Sequence, residues 1–314
     1  MITPPKFWFR KSMWSLALLP LGWIYGAVVR WKLKRTPPRL SVPVICIGNL
    51  TLGGTGKTPV VLGLAQELQK QGHVPHILTR GYGGKGWQSI RVDLKLHTPK
   101  DVGDEPCLLT RVAPTWVGSN RYQSGQEAIA AGATVLLMDD GLQNSTVYQD
   151  CKIAVFDGSI PFENQYVFPA GPLREPFFAG LKRLDHLILL NFDSVPAWAG
   201  KSSYSMGKTV SDARPNQDLY IAFAAIGHPE KFFNFLEQQG FKVIERCIFP
   251  DHHHYNNDDI QGLLGKADFH QAQLITTEKD LVKIPKNVRK KIQTVNITLK
   301  LDWAELVNKV LKKN

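Results

Sequence analysis

From residue 41 onward, short unbroken apolar runs alternate with segments whose apolar positions follow a helical period. The β-branched run over 43–49 predicts a strand buried on both faces. In KTPVVLGLAQELQKQG (57–72), Val60, Val61, Leu64 and Leu68 form one helical stripe that stops at Gly72. HVPHILTRGYGG (73–84) reads as a second strand entering a glycine-rich loop, and three further runs follow: ATVLLMDDG (133–141), CKIAVFDG (151–158) and DHLILLNFD (185–193). Strands separated by helical segments predict a parallel sheet with helices on both faces. Ligands of such sheets sit at the carboxyl ends of the strands, where the polar clusters that end these runs fall. Residues 194–217, rich in Ser, Gly and Pro, read as a connector with some extended pairing. A second α/β pattern follows, includes AQLITTEKD (272–280) and ends in a basic helical tail.

The N-terminus breaks this pattern. Between Lys11 and Arg30 lie 18 uncharged residues, SMWSLALLPLGWIYGAVV, flanked by Lys6, Arg10 and Lys11 before and by Arg30, Lys32, Lys34 and Arg35 after. That length is at the lower edge of a membrane span, and Pro20 and Gly22 interrupt it. No small-residue cleavage site precedes Arg30, which argues against a signal peptide. Aromatic residues between basic flanks favour a helix lying in a membrane interface, over a core helix or a true span.

Composition narrows this picture without deciding it. Of 314 residues, 43% are hydrophobic and 21% charged, as expected of a globular chain able to bury a core. The formal net charge of +11 suits nucleic acid, an anionic membrane or a phosphorylated substrate equally. Cys46, Cys107, Cys151 and Cys247 have no metal-ligand spacing and read as reduced thiols.

The chemistry starts at GNLTLGGTGKTP (48–59). Gly53, Gly54, Thr55, Gly56, Lys57 and Thr58 stand between a strand and a helix, the arrangement in which backbone N–H groups curl around phosphate. In such loops the lysine reaches the β- and γ-phosphates and the threonine hydroxyl holds Mg²⁺. Thr51 stands where the usual entry glycine would be, and Gly53 with Gly54 supply the turn instead. Asp139 and Asp140 end a strand downstream, as carboxylates that position Mg²⁺ beside a phosphate loop do. GPLREP (171–176) holds Arg174 in a turn fixed by proline and glycine, suited to steadying a phosphoryl group in transfer. TRGYGG (79–84) offers Arg80 and Tyr82 to the cleft, or forms a plain surface turn. On sequence physics alone the acidic pair of GDEP (103–106) reads as helix capping. DHHH (251–254) suits a proton acceptor or a solvated loop better than a metal, because three consecutive histidines cannot face one ion. TTEKD (276–280) lacks the guanine-reading Asn-Lys-x-Asp pattern and argues against a GTPase.

Seven motifs in this order, GNLTLGGTGKTP, TRGYGG, GDEP, DDGLQN, GPLREP, FPDHHHY and TTEKD, resemble the tetraacyldisaccharide 4′-kinase family over essentially the whole chain. The resemblance implies a P-loop NTPase-like α/β fold: an N-terminal membrane-associated helix over 1–35, a kinase domain over 36–205, a linker over 206–217 and a smaller α/β domain over 218–314. It implies transfer of the γ-phosphate of ATP, with Mg²⁺, to the 4′-hydroxyl of a tetraacyl glucosamine disaccharide 1-phosphate, forming lipid IVA at the cytoplasmic face of the bacterial inner membrane. Neither nucleic acid nor an obligate protein partner is expected. By matched motif, Asp104 becomes the base, supported by His252, which reverses the capping reading. Lys57, Thr58 and Arg174 keep their phosphate roles, Asp139 and Asp140 organise the metal, and Arg80, Tyr82, Arg121 and Gln143 contact substrate. Many members of the family carry His where Asn144 stands, and Asn144 is given no role. A competing class, a membrane-recruited NTPase switch, often has an extra lysine where Leu52 stands and needs no acceptor base.

Overall fold

The computed structural model describes residues 5–8, 12–53, 55–86, 88–160, 164–211, 213–251 and 253–311. The larger of its two compact units comprises Pro5–Thr209 and the chain from Leu299 on; Val210–Thr298 forms the other. The strands of the larger unit are β1 (Val44–Gly48), β2 (Pro75–Thr79), β3 (Ile90–Arg91), β4 (Thr115–Val117), β5 (Val135–Asp139), β6 (Cys151–Asp157), β7 (His186–Leu190) and β8 (Tyr204–Val210). The smaller unit supplies β9 (Tyr220–Ala224), β10 (Val243–Ile248), β11 (Gln273–Thr277) and β12 (Ile292–Val295), and β13 (Thr298–Lys300) follows.

Among the described residues the large sheet runs β13-β8-β7-β6-β1-β5-β2-β4-β3. β1 pairs in parallel with both β5 and β6, so the glycine loop leaves from the middle of the sheet. The unbroken apolar runs are explained by burial on both faces. Ile45 and Ile47 of β1 enter one cluster with Val60, Val61, Leu64 and Leu68 of helix Lys57–Lys70. Val44 and Cys46 enter the opposite cluster with Ala128 of helix Arg121–Ala130 and Phe177 of helix Phe177–Leu181. Each buried Val, Ile, Leu or Phe among them contributes roughly 1.5–3 kcal/mol by leaving water.

Two boundaries differ from the sequence expectation. The extended pairing expected within 194–217 is β8, parallel to β7, and it carries the larger unit to Thr209, past the expected 205. The second domain, expected to reach residue 314, ends near 298: helix Trp303–Leu311 buries Leu306, Val307 and Val310 against helix Lys57–Lys70, in the same cluster as Ile45. An amphipathic tail marks a helix in sequence but not the sheet face that receives it.

The smaller unit has four parallel strands ordered β10-β9-β11-β12. Helix Pro229–Gln238 covers Tyr220, Ala222 and Ala224, and helix Asn257–His270 covers Ile221 and Phe223 on the other face. At the carboxyl ends of β9 and β11, buried Asp280 of TTEKD accepts from Ala225 N (3.1 Å), Thr277 Oγ1 (2.9 Å) and Lys283 Nζ (2.9 Å). This motif fastens two loops of its own unit together.

The N-terminal segment forms helices Met13–Ala17 and Leu19–Leu33. The longer one buries Gly22 and Gly26 and turns Trp23 (70% exposed), Ile24 and Trp31 outward, which overturns the core-helix alternative. No helix among the described residues is long and apolar enough to cross a membrane.

Candidate nucleotide and phosphoryl-transfer site

The loop between β1 and helix Lys57–Lys70 is held from inside by Asn49. Its buried amide Nδ2 donates to Gly53 O (3.2 Å) and Thr55 Oγ1 (3.1 Å). Gly56 caps the helix at φ 84°, a left-handed conformation that glycine adopts without strain. Thr51 needs no such freedom. It forms an extended bridge with Leu173, and Leu52 N donates to Pro172 O (2.7 Å), so the position expected to carry glycine is a short strand pairing. Gly54 lies outside the described residues.

Lys57, at the start of the helix, is 3.7 Å from Asp140 Oδ1. Asp140 follows β5 in a left-handed turn (φ 51°), which aspartate tolerates, and its N–H donates to Ile47 O of β1 (2.8 Å). Arg174 grips Asp140 with both terminal nitrogens, each at 2.9 Å, while its Nε donates to Thr51 O (3.1 Å). A fork of this kind fixes orientation as well as charge. Burial works against the charge on Asp140, but Lys57 and Arg174 outweigh it and hold its carboxyl below the usual range. Gln143 extends the network: its Oε1 accepts from Arg174 (3.3 Å) and its Nε2 donates to Glu175 (2.8 Å). Buried Glu175 is gripped in turn by Arg183 (2.6 and 3.0 Å).

Asp139 is the opposite case. It is fully inside, accepts from Thr79 Oγ1 at 3.3 Å, and its Oδ1 has no hydrogen-bond partner among the described residues. Burial first, then the charges of Glu105 and Asp140, push its carboxyl well above the usual range. A buried carboxylate oxygen without a donor is a hard ligand suited to Mg²⁺. The structure thus separates two aspartates that sequence could not: cations hold Asp140 below the usual range, whereas the more distant charges of Lys57 and Arg121 leave Asp139 above it.

The GDEP segment opens helix Asp104–Leu109, and Asp104 is 5% exposed with Oδ1 accepting from Glu105 N (3.1 Å). Gly103 is the N-cap and no side chain caps the helix, so the acidic pair meets the capping reading only by lying in the first turn, where the helix dipole favours negative charge. Glu105's effect on Asp139 puts the segment within electrostatic reach of the strand ends. Lys85, just past TRGYGG, binds Asp101 through backbone (2.9 Å) and side chain (2.6 Å), laying that loop beside GDEP. Arg80 and Tyr82 are exposed on it. Arg121 is not: it starts helix Arg121–Ala130 at 3% exposure and donates through Nη1 to Gly118 O. Burial lowers its pKa to about 10 against the pull of Asp139. His252 lies outside the described residues.

The family model for tetraacyldisaccharide-1-P 4′-kinase matches residues 14–314. The chain belongs to that family. A tetraacyldisaccharide 4′-kinase of Gluconobacter oxydans is 42% identical over 310 residues, covering 96% of this chain and 94% of the relative. One from Paramagnetospirillum magneticum is also 42% identical, covering 95% and 94%. Among solved structures, LpxK from Aquifex aeolicus in complex with ATP is similar at a TM-score of 0.76 and 26% identity, covering 96% of this chain and 99% of that one.

For this member of the tetraacyldisaccharide kinase family, sequence reasoning missed Asn49, Glu175 and Arg183. Glu175 had one available signal, its place beside Arg174 in GPLREP; Asn49 had its place at the strand-to-loop junction. Arg183 sits in the turn that follows helix Phe177–Leu181, and only folding brings it to Glu175.

Proposed function

We propose that this chain transfers the γ-phosphate of ATP to the 4′-hydroxyl of a tetraacyl glucosamine disaccharide 1-phosphate, forming lipid IVA, at the cytoplasmic face of the inner membrane. The observation that carries this reading is the strand-loop-helix phosphate cradle with Lys57, Asp140 and Arg174 converging on it, in a chain of this family. Backbone N–H groups of Gly53–Thr58 and the helix N-terminus receive the β- and γ-phosphates, and Lys57 draws charge toward the leaving oxygen. Asp139 and the Thr58 hydroxyl would hold Mg²⁺, whose charge would offset that of the phosphates. Asp104, supported by His252 as the family resemblance implies, accepts the proton of the 4′-hydroxyl as that oxygen attacks the γ-phosphorus and the bond to the ADP oxygen breaks. Arg174, fixed by its fork to Asp140, steadies the group in flight. Arg80, Tyr82 and Gln143 contact the acceptor. Buried Arg121 suits charge balance for Asp139 better than direct contact with a sugar.

The N-terminal helices rest in the membrane interface. Outward Trp14, Trp23 and Trp31, followed by Arg30, Lys32, Lys34 and Arg35, support this: the rings seat at headgroup depth and the cations meet anionic lipid. Labelled ATP incubated with the acceptor lipid tests the reaction. Lipid-dependent transfer is expected, and lipid-independent hydrolysis alone would favour an NTPase switch.

A further inference from the structure

Residues 164–176 form a strap between the N-terminal helices and the phosphate loop. On its outer side, Asn164, fully buried, donates to Phe7 O (2.9 Å), and Trp8 Nε1 donates to Pro169 O (3.0 Å). Phe168 takes the ring edges of Trp8 (5.9 Å) and Tyr25 (5.4 Å). The helix Leu19–Leu33 meets the strap through its two buried glycines. A Cβ on Gly22 would lie 2.8 Å from Val167 O, and one on Gly26 would touch Pro176. On its inner side the strap pairs with the phosphate loop: Leu173 bridges Thr51, Leu52 N donates to Pro172 O (2.7 Å), and Arg174 N donates to Leu50 O (2.8 Å). The same strap carries the Arg174 that forks onto Asp140.

We infer that the N-terminal helices are a positioning element of the phosphoryl-transfer site, acting through this strap on the phosphate loop and Arg174, in addition to any membrane contact. The inference rests on the kinase reading for its effect on turnover, but its effect on nucleotide affinity stands without it. The physical reason is stiffness. A strap hydrogen-bonded on both edges transmits a displacement of one edge to the other, and a phosphate site loses rate steeply when its donors move by an ångström. The glycines allow the contact, since a bulkier residue at 22 must push the helix away from a backbone carbonyl that cannot turn aside.

The test separates the two faces of one helix in the full-length protein. Gly22→Val alters the strap side, and Trp14→Ser with Trp23→Ser alters the outward side. Affinity for a fluorescent ATP analogue, turnover on detergent-dispersed acceptor, and flotation with vesicles of anionic lipid are measured for each. Gly22→Val should weaken nucleotide binding and lower kcat by about tenfold each, with flotation kept. The tryptophan pair should lose flotation and keep nucleotide affinity. Gly22→Ala, a smaller intrusion, should fall between Gly22→Val and the parent, and Trp8→Phe, which deletes the bond to Pro169 and keeps an aromatic ring beside Phe168, should give a milder loss with a native melt. A merely structural role would reduce the active fraction and leave nucleotide affinity of the folded protein unchanged. Unchanged affinity in folded Gly22→Val and Trp8→Phe overturns the inference. Absence of lipid phosphorylation by the parent protein would instead overturn the kinase reading, with the affinity comparison still decisive for the coupling.

Discussion

Two helices of nearly equal length do opposite things with apolar residues. Helix Lys57–Lys70 turns Val60, Val61, Leu64, Ala65 and Leu68 into the core and leaves its polar side to solvent. Helix Leu19–Leu33 buries two glycines and turns Trp23, Ile24, Val28 and Trp31 outward. The apolar side chains of the first are used in folding. Those of the second stay exposed, next to the basic residues at its end. Hydrophobicity in a sequence therefore predicts burial only when the partner surface belongs to the same chain.

The largest effect expected from either helix comes from its first residue, not its stripe. Lys57→Ala should lower kcat by roughly a thousandfold or more while the melting temperature stays close to the parent's, because the ammonium serves phosphates and the packing below it is untouched. A matching loss of stability would show that the lysine is a structural partner of Asp140 first.

Leu64→Ala should cost about 2–5 kcal/mol of folding stability, read from denaturant midpoints, since Leu64 is wholly buried between β1 and the C-terminal helix. A loss under about 1 kcal/mol would mean that the stripe is no more committed to the core than the N-terminal one.

Asp139→Asn gives a smaller change of opposite sign. The fold raises this carboxyl's pKa through burial, so protonated Asp139 is favoured and stability is lost as pH rises from the ordinary carboxylate range through the raised value. Without Mg²⁺ or nucleotide, Asp139→Asn should melt with the parent at pH 5 and be more stable at pH 8 by about 1–2 kcal/mol, while turnover is abolished. An equal or lower melt at pH 8 would show that cations already satisfy Asp139 as they do Asp140.

Much of this contrast was legible before folding. Local period and composition placed β1, β5 and the stripe of helix Lys57–Lys70, because each depends on neighbours within a few residues. The placement of Asp139 and Asp140 beside the phosphate loop followed from strand-loop-helix logic, whereas the ion pair of Lys57 with Asp140 did not. The fork between Arg174 and Asp140, the grip of Arg183 on Glu175 and the bridge of Thr51 to Leu173 are contacts across 34, 8 and about 120 positions, and no local pattern encodes which residues meet. Thr51 is instructive: an absent glycine looked like a departure, and its cause is a strand pairing with a segment far along the chain. Asp104 shows the reverse, since its place in the first helical turn is all that sequence physics accounts for, and only family resemblance points to a base.

The smallest expected effect is the most direct test of the comparison. Trp23 is 70% exposed, so Trp23→Ser removes little packing and should move folding stability by no more than about 0.5 kcal/mol. The same change at a ring inside the core, as at Phe223, should cost at least about 3 kcal/mol. Against vesicles the ranking inverts: Trp23→Ser should weaken binding to anionic bilayers severalfold, and the core substitution should act there only through unfolding. If Trp23→Ser instead lowers the melting temperature in plain buffer by as much as a core change, the outward face is packed in solution. The two helices would then differ in partner but not in kind.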